Sequence, residues 1–374
     1  MIEFLQGAIT IVLFVAILGA LVLVHEIGHF VTARLAGVRV LEFGIGFPPR
    51  AKILRARGET LYTLNWLPIG GFVKLEGEDG DDTDDPRSFV RAKLPTKVVI
   101  LLAGVFMNLV TALVIFTLIA WIATPLIGVR VPTVDPASPA ERAGIRPGDS
   151  IITVDGRSYE FYGQYLGLTD ILDDLRSRAG QTVVLGLHRA DGTFEDVSVT
   201  LRSPAEVEAG NGALGVRSTE EEPFLTDFYG GTTGHDLGTA IGIGVSETGR
   251  WFGLILAGLG DLVGGFVSDP TAPPPVAGPV GIATQIGEIF WGSGPILTLY
   301  VAGILSANLA LVNALPFPPL DGGRLLMIVL KAIFGTRISL RAERLTYFVG
   351  FVFLFAFLIW VTGFDLVRIL GGDS

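Results

Sequence analysis

Long runs of hydrophobic residues dominate this chain, and stretches that mix polar with apolar positions separate them. Four of the runs approach or exceed the roughly 20 apolar residues that a helix needs to cross a bilayer. They predict membrane-spanning helices at about residues 4–35, 98–122, 296–315 and 345–361. The pattern therefore indicates a membrane protein built around four helices.

The stretch between the first two runs alternates polar and apolar positions. Residues 60–67 alternate as a strand does, and residues 68–75 follow them directly. We expect a small set of strands that dips towards the membrane beside the first span, with an edge that holds an unfolded substrate by strand addition. An ordinary connecting hairpin is the alternative. The acidic run at residues 76–85 predicts a solvated loop, with a weak cation site as the alternative.

Residues 126–220 have the pattern of a folded domain outside the bilayer. Short apolar strands alternate there with turn signals, of which Asp155-Gly156 and Asp191-Gly192 are the clearest. The expected elements are strands at residues 150–154, 182–188 and 195–201, and an amphipathic helix near residues 168–178. This segment is predicted to be an α+β domain.

A fifth apolar stretch at residues 238–267 is rich in glycine and contains Glu247, Arg250 and Asp261. It fits either a membrane span or a helix that lies at the membrane surface. The proline- and glycine-rich residues 273–281 that follow predict a linker or a re-entrant loop.

Composition agrees with a membrane protein. The 374 residues are 50% hydrophobic and only 17% charged, and their mean hydropathy is +0.57, which is too apolar for an ordinary soluble enzyme. The formal net charge is −10, and no basic stripe with interleaved aromatic residues predicts a nucleic-acid partner. The absence of cysteine excludes disulfides and thiolate metal ligands. The first apolar run lacks a basic leading region, so we expect no cleavable signal peptide there.

The sequence His-Glu-Ile-Gly-His at residues 25–29 lies near the end of the first apolar run. On a helix, His25 and His29 share one face, about one turn apart. Two such imidazoles bind zinc, and Glu26 beside them is the carboxylate that activates water. Histidine and glutamate are expensive to bury within a membrane, so their presence favours function over a pair of structural histidines at a helix end.

A third metal ligand is expected at the end of the third run. Three prolines at residues 316–319 break that helix just before Asp321, and irregular backbone at membrane depth is tolerated where it faces a cavity within the protein. Catalytic zinc usually has three protein ligands and one open position. Asp321 is the natural third ligand, and a simple helix cap before Gly322 is the alternative.

Depth and charge predict the topology. His25 and Asp321 both lie towards the far ends of their spans, so they share a depth only if an odd number of spans lies between them. Only the second span then crosses, and residues 238–267 lie at the interface. Residues 34–97 and 321–345 carry 11 and 5 of the 27 Lys and Arg residues, which places them in the cytoplasm. Both termini and the α+β domain are therefore expected outside, with the metal nearer the cytoplasmic face.

Three separated motifs resemble the site-2 protease family, and within it the bacterial regulator-of-sigma-E protease group. They are the histidine motif in the first span, a segment at residues 126–220 that is similar to bacterial PDZ domains, and the Asn-x-x-Pro-x-Pro-x-Leu-Asp-Gly motif at residues 313–322. Gly104 and Asn108 are similar to the small-x-x-x-Asn pattern of the family's second span. The chain departs from the enterobacterial members in having one PDZ-like segment instead of two in tandem.

The resemblance implies an intramembrane zinc metalloprotease, a metalloendopeptidase that cuts transmembrane segments of pre-trimmed single-span proteins such as anti-sigma factors or remnant signal peptides. It implies Zn²⁺ held by His25, His29 and Asp321, with Glu26 as the catalytic carboxylate. It places Asn313 at the substrate. It places Gly70, Gly71, Phe72 and Val73 in re-entrant strands that bind the substrate, and it implies that residues 212–216 bind peptide C-termini or extended segments.

The predicted fold class is a four-span α-helical membrane core with membrane-associated β-strands and an inserted extracytoplasmic α+β PDZ domain, in the bacterial inner membrane. The alternative function is a proteolytically inactive membrane scaffold or chaperone, and a metal transporter is less favoured because the polar groups converge on one site. The expected segments are the first span at 1–36, a cytoplasmic or re-entrant β region at 37–97, the second span at 98–125, the PDZ domain at 126–220, an interfacial helix and linker at 221–295, the third span with the Leu-Asp-Gly motif at 296–344, and the fourth span and tail at 345–374.

Overall fold

The computed structural model describes residues 2–56, 58–78, 84–219, 223–269, 272–335 and 339–371. The chain divides into two compact units. The first unit contains Met1–Phe116 and Glu247–Ser374, and the second contains Thr117–Ser246.

Five of the described helices are long and apolar enough to cross a membrane, judged by length and composition. They are α1 (Ile2–Leu35), α2 (Leu94–Ile122), α6 (Leu237–Ser268), α8 (Pro295–Ala314) and α10 (Leu340–Gly371). Four of them coincide with the predicted spans, although α2 begins earlier and α10 is longer at both ends than the sequence pattern predicted. Helix α6 is the predicted fifth apolar stretch, and its best window has the lowest hydropathy, 1.6 against 1.9 to 2.9 for the others.

The strands predicted after α1 are present as β1 (Val40–Arg55) and β2 (Leu61–Leu75). The pair bends back on itself, because Phe43 of β1 is paired with both Val73 and Tyr62 of β2. The result is a sheet of four antiparallel segments with residues 71–75 at one edge and residues 50–55 at the other. A simple hairpin would have exposed both faces of two strands, whereas this arrangement buries Val40 and Leu75 beneath α2 and α1.

Two shorter helices in the first unit were not predicted. They are α7 (Pro279–Ser293) and α9 (Asp321–Phe334). The prediction of a linker or re-entrant loop was wrong for the last part of residues 273–281, where α7 begins. Proline suits the first helical position, and the buried Asp365 carboxylate accepts hydrogen bonds from the amides of Gly278 (3.1 Å) and Gly281 (2.8 Å). These contacts satisfy amide groups that a helix start leaves unpaired.

The second unit is an α+β fold around an antiparallel six-stranded sheet in the order β10-β3-β6-β5-β7-β8, and β4 pairs separately with β9. Its strands are β3 (Thr124–Arg130), β4 (Thr133–Val134), β5 (Ser150–Val154), β6 (Arg157–Glu160), β7 (Thr182–His188), β8 (Phe194–Thr200), β9 (Val216–Arg217) and β10 (Leu225–Thr233). Its helices are α3 (Pro139–Arg142), α4 (Ile171–Ser177) and α5 (Pro204–Glu208). The strands predicted at residues 150–154 and 182–188 are confirmed, and Asp155 and Gly156 form the expected turn with φ of 49° and 75°.

A buried carboxylate joins the sheet of this unit to helix α4. Asp174 accepts hydrogen bonds from the Tyr159 hydroxyl and from Arg178 Nε, the latter at 3.0 Å. Burial by itself raises the pKa of Asp174, but the hydrogen bonds from Arg178 and Tyr159 outweigh it and hold the pKa below its ordinary value. An ionised carboxylate therefore fixes α4 against β6.

Both histidines outside the candidate metal motif pair with carboxylates in the second unit. His188 Nδ1 lies 3.0 Å from Asp227 Oδ2, and His235 Nε2 lies 3.0 Å from Glu160 Oε2. The sequence assigned no role to either residue. His188 of β7 thus contacts a residue of β10, and His235, which follows β10, contacts a residue of β6. Neither belongs to a metal cluster among the described residues.

Candidate metal centre and substrate cleft

His25, His29 and Asp321 come together although Asp321 follows His29 by 292 positions along the chain. The two imidazoles lie on one face of α1, and Asp321 is the first residue of α9. His25 Nε2 is 2.8 Å and His29 Nε2 is 3.3 Å from Asp321 Oδ2, and the two Nε2 atoms are 3.1 Å apart. The structure thus gathers all three predicted ligand side chains at one point.

The three donor atoms have the spacing and the chemistry that zinc requires. Ligands at about 2.0–2.1 Å from a tetrahedral zinc ion lie about 3.3 Å from one another, and the observed separations run from 2.8 to 3.3 Å. Two imidazoles and a carboxylate are donors that zinc accepts readily. Three protein donors also leave the fourth position of a tetrahedral site open. The residues present therefore fit a zinc ion.

A glycine keeps space over the donor atoms. A Cβ on Gly104 of α2 would lie 2.5 Å from His29 Nε2 and 2.6 Å from His25 Nε2. On α1, a Cβ on Gly28 would lie 2.5 Å from the backbone oxygen of Ala103. The two helices therefore touch at their glycines, as small residues allow in membrane proteins. The sequence indicated Gly104 only as part of the small-x-x-x-Asn pattern, and the structure places it against both imidazoles.

Helix α2 also contacts the outer nitrogen of each imidazole. His29 Nδ1 lies 2.8 Å from the backbone oxygen of Ile100, and His25 Nδ1 lies 3.3 Å from Asn108 Nδ2. Contacts of this kind set the orientation of metal-binding histidines. Asn108 is completely buried, and its side-chain amide has His25 as a partner.

A tightly folded turn carries the chain from α8 to Asp321. The glycines that follow Asp321 pack on this turn, and a Cβ on Gly323 would lie 2.5 Å from the carbonyl carbon of Phe317. Prolines at residues 316–319 have no amide hydrogen, which reduces the number of backbone donors that an irregular segment leaves unpaired. The proline-rich motif thus positions the carboxylate of Asp321 through close backbone packing.

A cavity of about 500 Å³ opens beside the candidate metal centre. Its walls include Glu26, His29 and Asp321 as well as residues 71–75 of β2. Of the predicted substrate-binding residues, Gly71, Phe72 and Val73 line this cavity, and the structure therefore brings a sheet edge to the candidate catalytic carboxylate.

The other two predicted substrate-binding residues lie elsewhere. Gly70 adopts a left-handed backbone (φ of 71°), and a Cβ there would lie 2.6 Å from Val22 Cγ1 of α1, so it holds the sheet against the metal helix. Asn313 lies in the last turn of α8 and is not among the described residues that line the cavity.

An ion pair between Glu78 and Arg324 forms one wall of the cavity, and sequence reasoning missed it. Glu78 also accepts a hydrogen bond from the Leu75 amide at 3.1 Å. The expectation of a solvated acidic loop at residues 76–85 is therefore wrong for Glu78, and residues 79–83 lie outside the described residues. The available signal was an arginine one helical turn after Asp321, on the same face. The same ion pair also lines a second cavity of about 770 Å³.

Comparison with known proteins places this geometry in a family. The family model described as peptidase family M50 matches residues 13–357, which is most of the chain and contains both motifs of the metal centre. The chain belongs to peptidase family M50. The resemblance to site-2 proteases predicted from the sequence is thereby confirmed at the level of the family.

Several relatives match this M50 chain over most of their length. A candidate zinc metalloprotease of Clostridium perfringens is 33% identical over 350 residues, which cover 93% of this chain and 96% of the relative. The zinc metalloprotease RasP of Geobacillus kaustophilus is 27% identical over 452 aligned residues, covering 98% of this chain and 99% of the relative. A candidate membrane metalloprotease of the Arabidopsis thaliana chloroplast, ARASP2, is 32% identical over 331 residues, covering 86% of this chain and 71% of the relative.

Family membership makes the chain a peptidase. Its long apolar helices make it a multi-pass membrane protein, and its bacterial relatives support a place in the inner membrane.

Proposed function

We propose that this M50 peptidase is an intramembrane zinc metalloprotease that hydrolyses peptide bonds in transmembrane segments of single-span proteins. One observation carries the proposal: His25, His29 and Asp321 converge beside a cavity that Glu26 shares with the edge of a β-sheet. Zinc is named for the relatives, and the donor set suits it. An inactive scaffold or chaperone is less favoured, because a scaffold has no use for a carboxylate beside a complete donor set.

The residues around the cavity divide the chemistry between them. His25, His29 and Asp321 hold the ion, and a zinc ion bound there supplies Lewis acidity to water and to the scissile carbonyl. Glu26 accepts a proton from the attacking water and donates it to the departing amine.

The substrate must present an extended backbone to this site. Carbonyl groups of an intact helix are engaged in internal hydrogen bonds, and each unpaired backbone group in lipid costs several kcal/mol. Residues 71–75 are paired with β1 on one side only, among the described strands. We propose that the unwound segment adds to this free edge and thereby recovers the hydrogen bonds that it loses.

Proline substitution tests the pairing of the substrate with the free edge. Amides of successive residues point to opposite edges of a strand, so proline at Phe72, Val73 and Lys74 in turn removes donors alternately from the free edge and from the β1 side. We expect the free-edge substitutions to slow cleavage of a single-span reporter at least about ten-fold with normal zinc content. Equal cleavage by all three variants and the wild type would refute strand addition.

Asn313 is proposed as a further substrate contact at the end of α8. Its side chain is part-buried, and none of the described residues forms a hydrogen bond with it, so its amide is available to an extended backbone. It lies shortly before the turn that positions Asp321, which supports a place for it near the scissile segment.

Helix contacts support the proposed topology of four crossings. His25 and His29 meet Asn108 and Ile100 of α2, so α1 and α2 are antiparallel. Helix α8 is antiparallel to α2 as well, because Ser306 contacts Asn108 while the earlier Tyr300 contacts the later Phe116. Helices α1 and α8 therefore run in the same direction, as they do if α2 is the one crossing between them and α6 lies at the interface.

This topology orients the protein in the membrane. The excess of Lys and Arg at residues 34–97 and 321–345 puts these segments in the cytoplasm. Both termini and the second unit are then outside, and the metal centre lies nearer the cytoplasmic face.

The second unit is proposed to be a PDZ-type module that binds C-termini or extended segments of pre-trimmed substrates, such as anti-sigma-factor-like regulators or remnant signal peptides. Residues 212–216, which the family resemblance assigns to peptide binding, lead into β9. Gly215 there has a left-handed backbone (φ of 80°), and the chain is anchored by the hydrogen bond from the Ala140 amide to the Leu214 oxygen at 2.9 Å. Such a module would act as a filter or as a docking site.

Removing the module separates those two roles. Strands β3 and β10 pair with each other between Arg130 and Leu225, so a short glycine-serine linker in place of residues 131–224 leaves that ladder intact. If the module is a size filter, the shortened protein should cleave an untrimmed single-span reporter that the full chain refuses. Continued refusal of the untrimmed reporter, with trimmed reporter still cut, would contradict a filter. Loss of both activities while zinc content is normal would indicate docking.

A further inference from the structure

We propose that Asn108 is a positioning residue that selects the nitrogen which His25 offers to the metal. It does so by accepting a hydrogen bond from His25 Nδ1–H through its side-chain oxygen. The inference rests on the proposed metal site and concerns zinc binding, a property that is measured apart from peptide cleavage.

The chemistry of imidazole makes such a residue necessary. A neutral histidine carries a hydrogen on one ring nitrogen only, and the other nitrogen is free to bind. His25 Nε2 is the atom that meets the other donors, at 2.8 Å from Asp321 Oδ2 and 3.1 Å from His29 Nε2. The hydrogen must then be on Nδ1, which lies in a buried position where a donor needs an acceptor. His25 itself is only 6% exposed.

Asn108 has the required acceptor in reach. Its side-chain nitrogen is 3.3 Å from His25 Nδ1, and its oxygen Oδ1 is buried with no hydrogen-bond partner among the described residues. In this arrangement the amide donates to Nδ1, and the hydrogen of His25 is on Nε2, facing Asp321. Rotation of the amide by 180° exchanges its nitrogen and oxygen, which have nearly the same shape. It then accepts from Nδ1–H and leaves Nε2 free for the metal.

His29 shows the same relationship with a fixed acceptor. Its Nδ1 lies 2.8 Å from the backbone oxygen of Ile100, and a carbonyl oxygen cannot donate. Helix α2 therefore contacts the outer nitrogen of both ligands, with a backbone group for one and a side chain for the other. The backbone oxygen of Asn108 also accepts a hydrogen bond from Ser306 Oγ at 2.7 Å, and both residues are completely buried. Asn108 is thus packed inside the protein beside His25, whichever way its amide is turned.

Two substitutions of nearly equal size test the proposal on the purified full-length protein. Asn108→Leu removes the acceptor, and Asn108→Asp keeps an oxygen at its position. We expect Asn108→Leu to weaken zinc binding by about 10- to 100-fold in competition with a chelator, and to change the visible absorption of the protein loaded with Co²⁺. Asn108→Asp should restore both properties. Ser306→Ala, which removes only the contact between α8 and α2, is the control and should bind zinc nearly as the wild type does.

Other results would overturn the inference. If Asn108→Leu binds zinc within three-fold of the wild type, or if Asn108→Asp binds as weakly as Asn108→Leu, the side-chain oxygen does not select the ligand nitrogen. Should Asn108→Leu fail to fold, the wild type answers the question: with four histidines in the chain, ¹⁵N-histidine spectra of the zinc-loaded protein must show Nδ1 protonated on both ligands. Nε2 protonation on His25 would refute the proposal. Zinc binding without any peptide cleavage would instead refute the proposed function alone.

Discussion

Replacement of Glu26 by glutamine is expected to lower peptide-bond cleavage by about 10²- to 10⁴-fold and to leave zinc content unchanged. Glutamine keeps the size of the side chain but cannot accept the proton of the attacking water. The three predicted metal donors are elsewhere, on His25, His29 and Asp321. Co-expression of the wild type and of Glu26→Gln with a panel of single-span reporters measures cleavage, and metal analysis of the purified proteins measures zinc.

The cavity provides a matched control for this substitution. Glu78 is a second carboxylate in the cavity wall, and it is already paired with Arg324. Glu78→Gln should slow cleavage far less than Glu26→Gln, since Glu78 has no part in the proton transfers. If Glu26→Gln cleaved the reporters at a rate within about ten-fold of the wild type, the proposed peptidase mechanism would be refuted. Loss of zinc in that variant would show that Glu26 acts through the metal site and not as the base.

Replacement of Gly104 by alanine is expected to abolish stoichiometric zinc binding and to lower cleavage by at least about 10²-fold, as misplacement of catalytic groups by 1 Å does elsewhere. The added methyl group would lie 2.5 Å from His29 Nε2 and 2.6 Å from His25 Nε2. Real Cβ atoms do not approach so closely, so the imidazoles or helix α2 must move. Either displacement changes the distances between the three donor atoms that would bind zinc.

Gly7→Ala is the control for this second substitution. Gly7 lies in α1, the helix of the metal motif, but a Cβ there has no neighbour within 4 Å. The same chemical change should therefore leave zinc content and cleavage as in the wild type. If Gly104→Ala retained both zinc and activity, the two helices would have to be further apart at this point than the structure places them.

The sequence was sufficient to predict which side chains come together at the candidate metal centre, because local spacing and composition encode them. The interval between His25 and His29 fixes their common helix face, and the prolines before Asp321 mark an irregular backbone at membrane depth. Long helices coincide with the four predicted spans for a related reason, since bilayer thickness imposes a minimum apolar length on each crossing helix. These signals depend on neighbours along the chain.

Features that depend on distant partners were missed. Residues 279–281 look like loop sequence, and they begin α7 because Asp365, far along the chain, accepts the amide hydrogens of Gly278 and Gly281. The pairing of Phe43 with two parts of β2 requires a bend that alternation alone does not indicate. In the sequence Glu78 is one member of an acidic run, and only the folded structure pairs it with Arg324. In each case the decisive interaction joins segments whose proximity is a product of the fold.

The free edge formed by residues 71–75 has a consequence for what this enzyme selects. An edge strand recognises mainly peptide groups, which all sequences share, and so it discriminates little between side chains. Selectivity between substrates then depends on the free energy that is needed to unwind a helix inside the lipid. Transmembrane segments interrupted by glycine, proline or β-branched residues should be the preferred substrates. Stable leucine-rich helices should resist cleavage even when they reach the site.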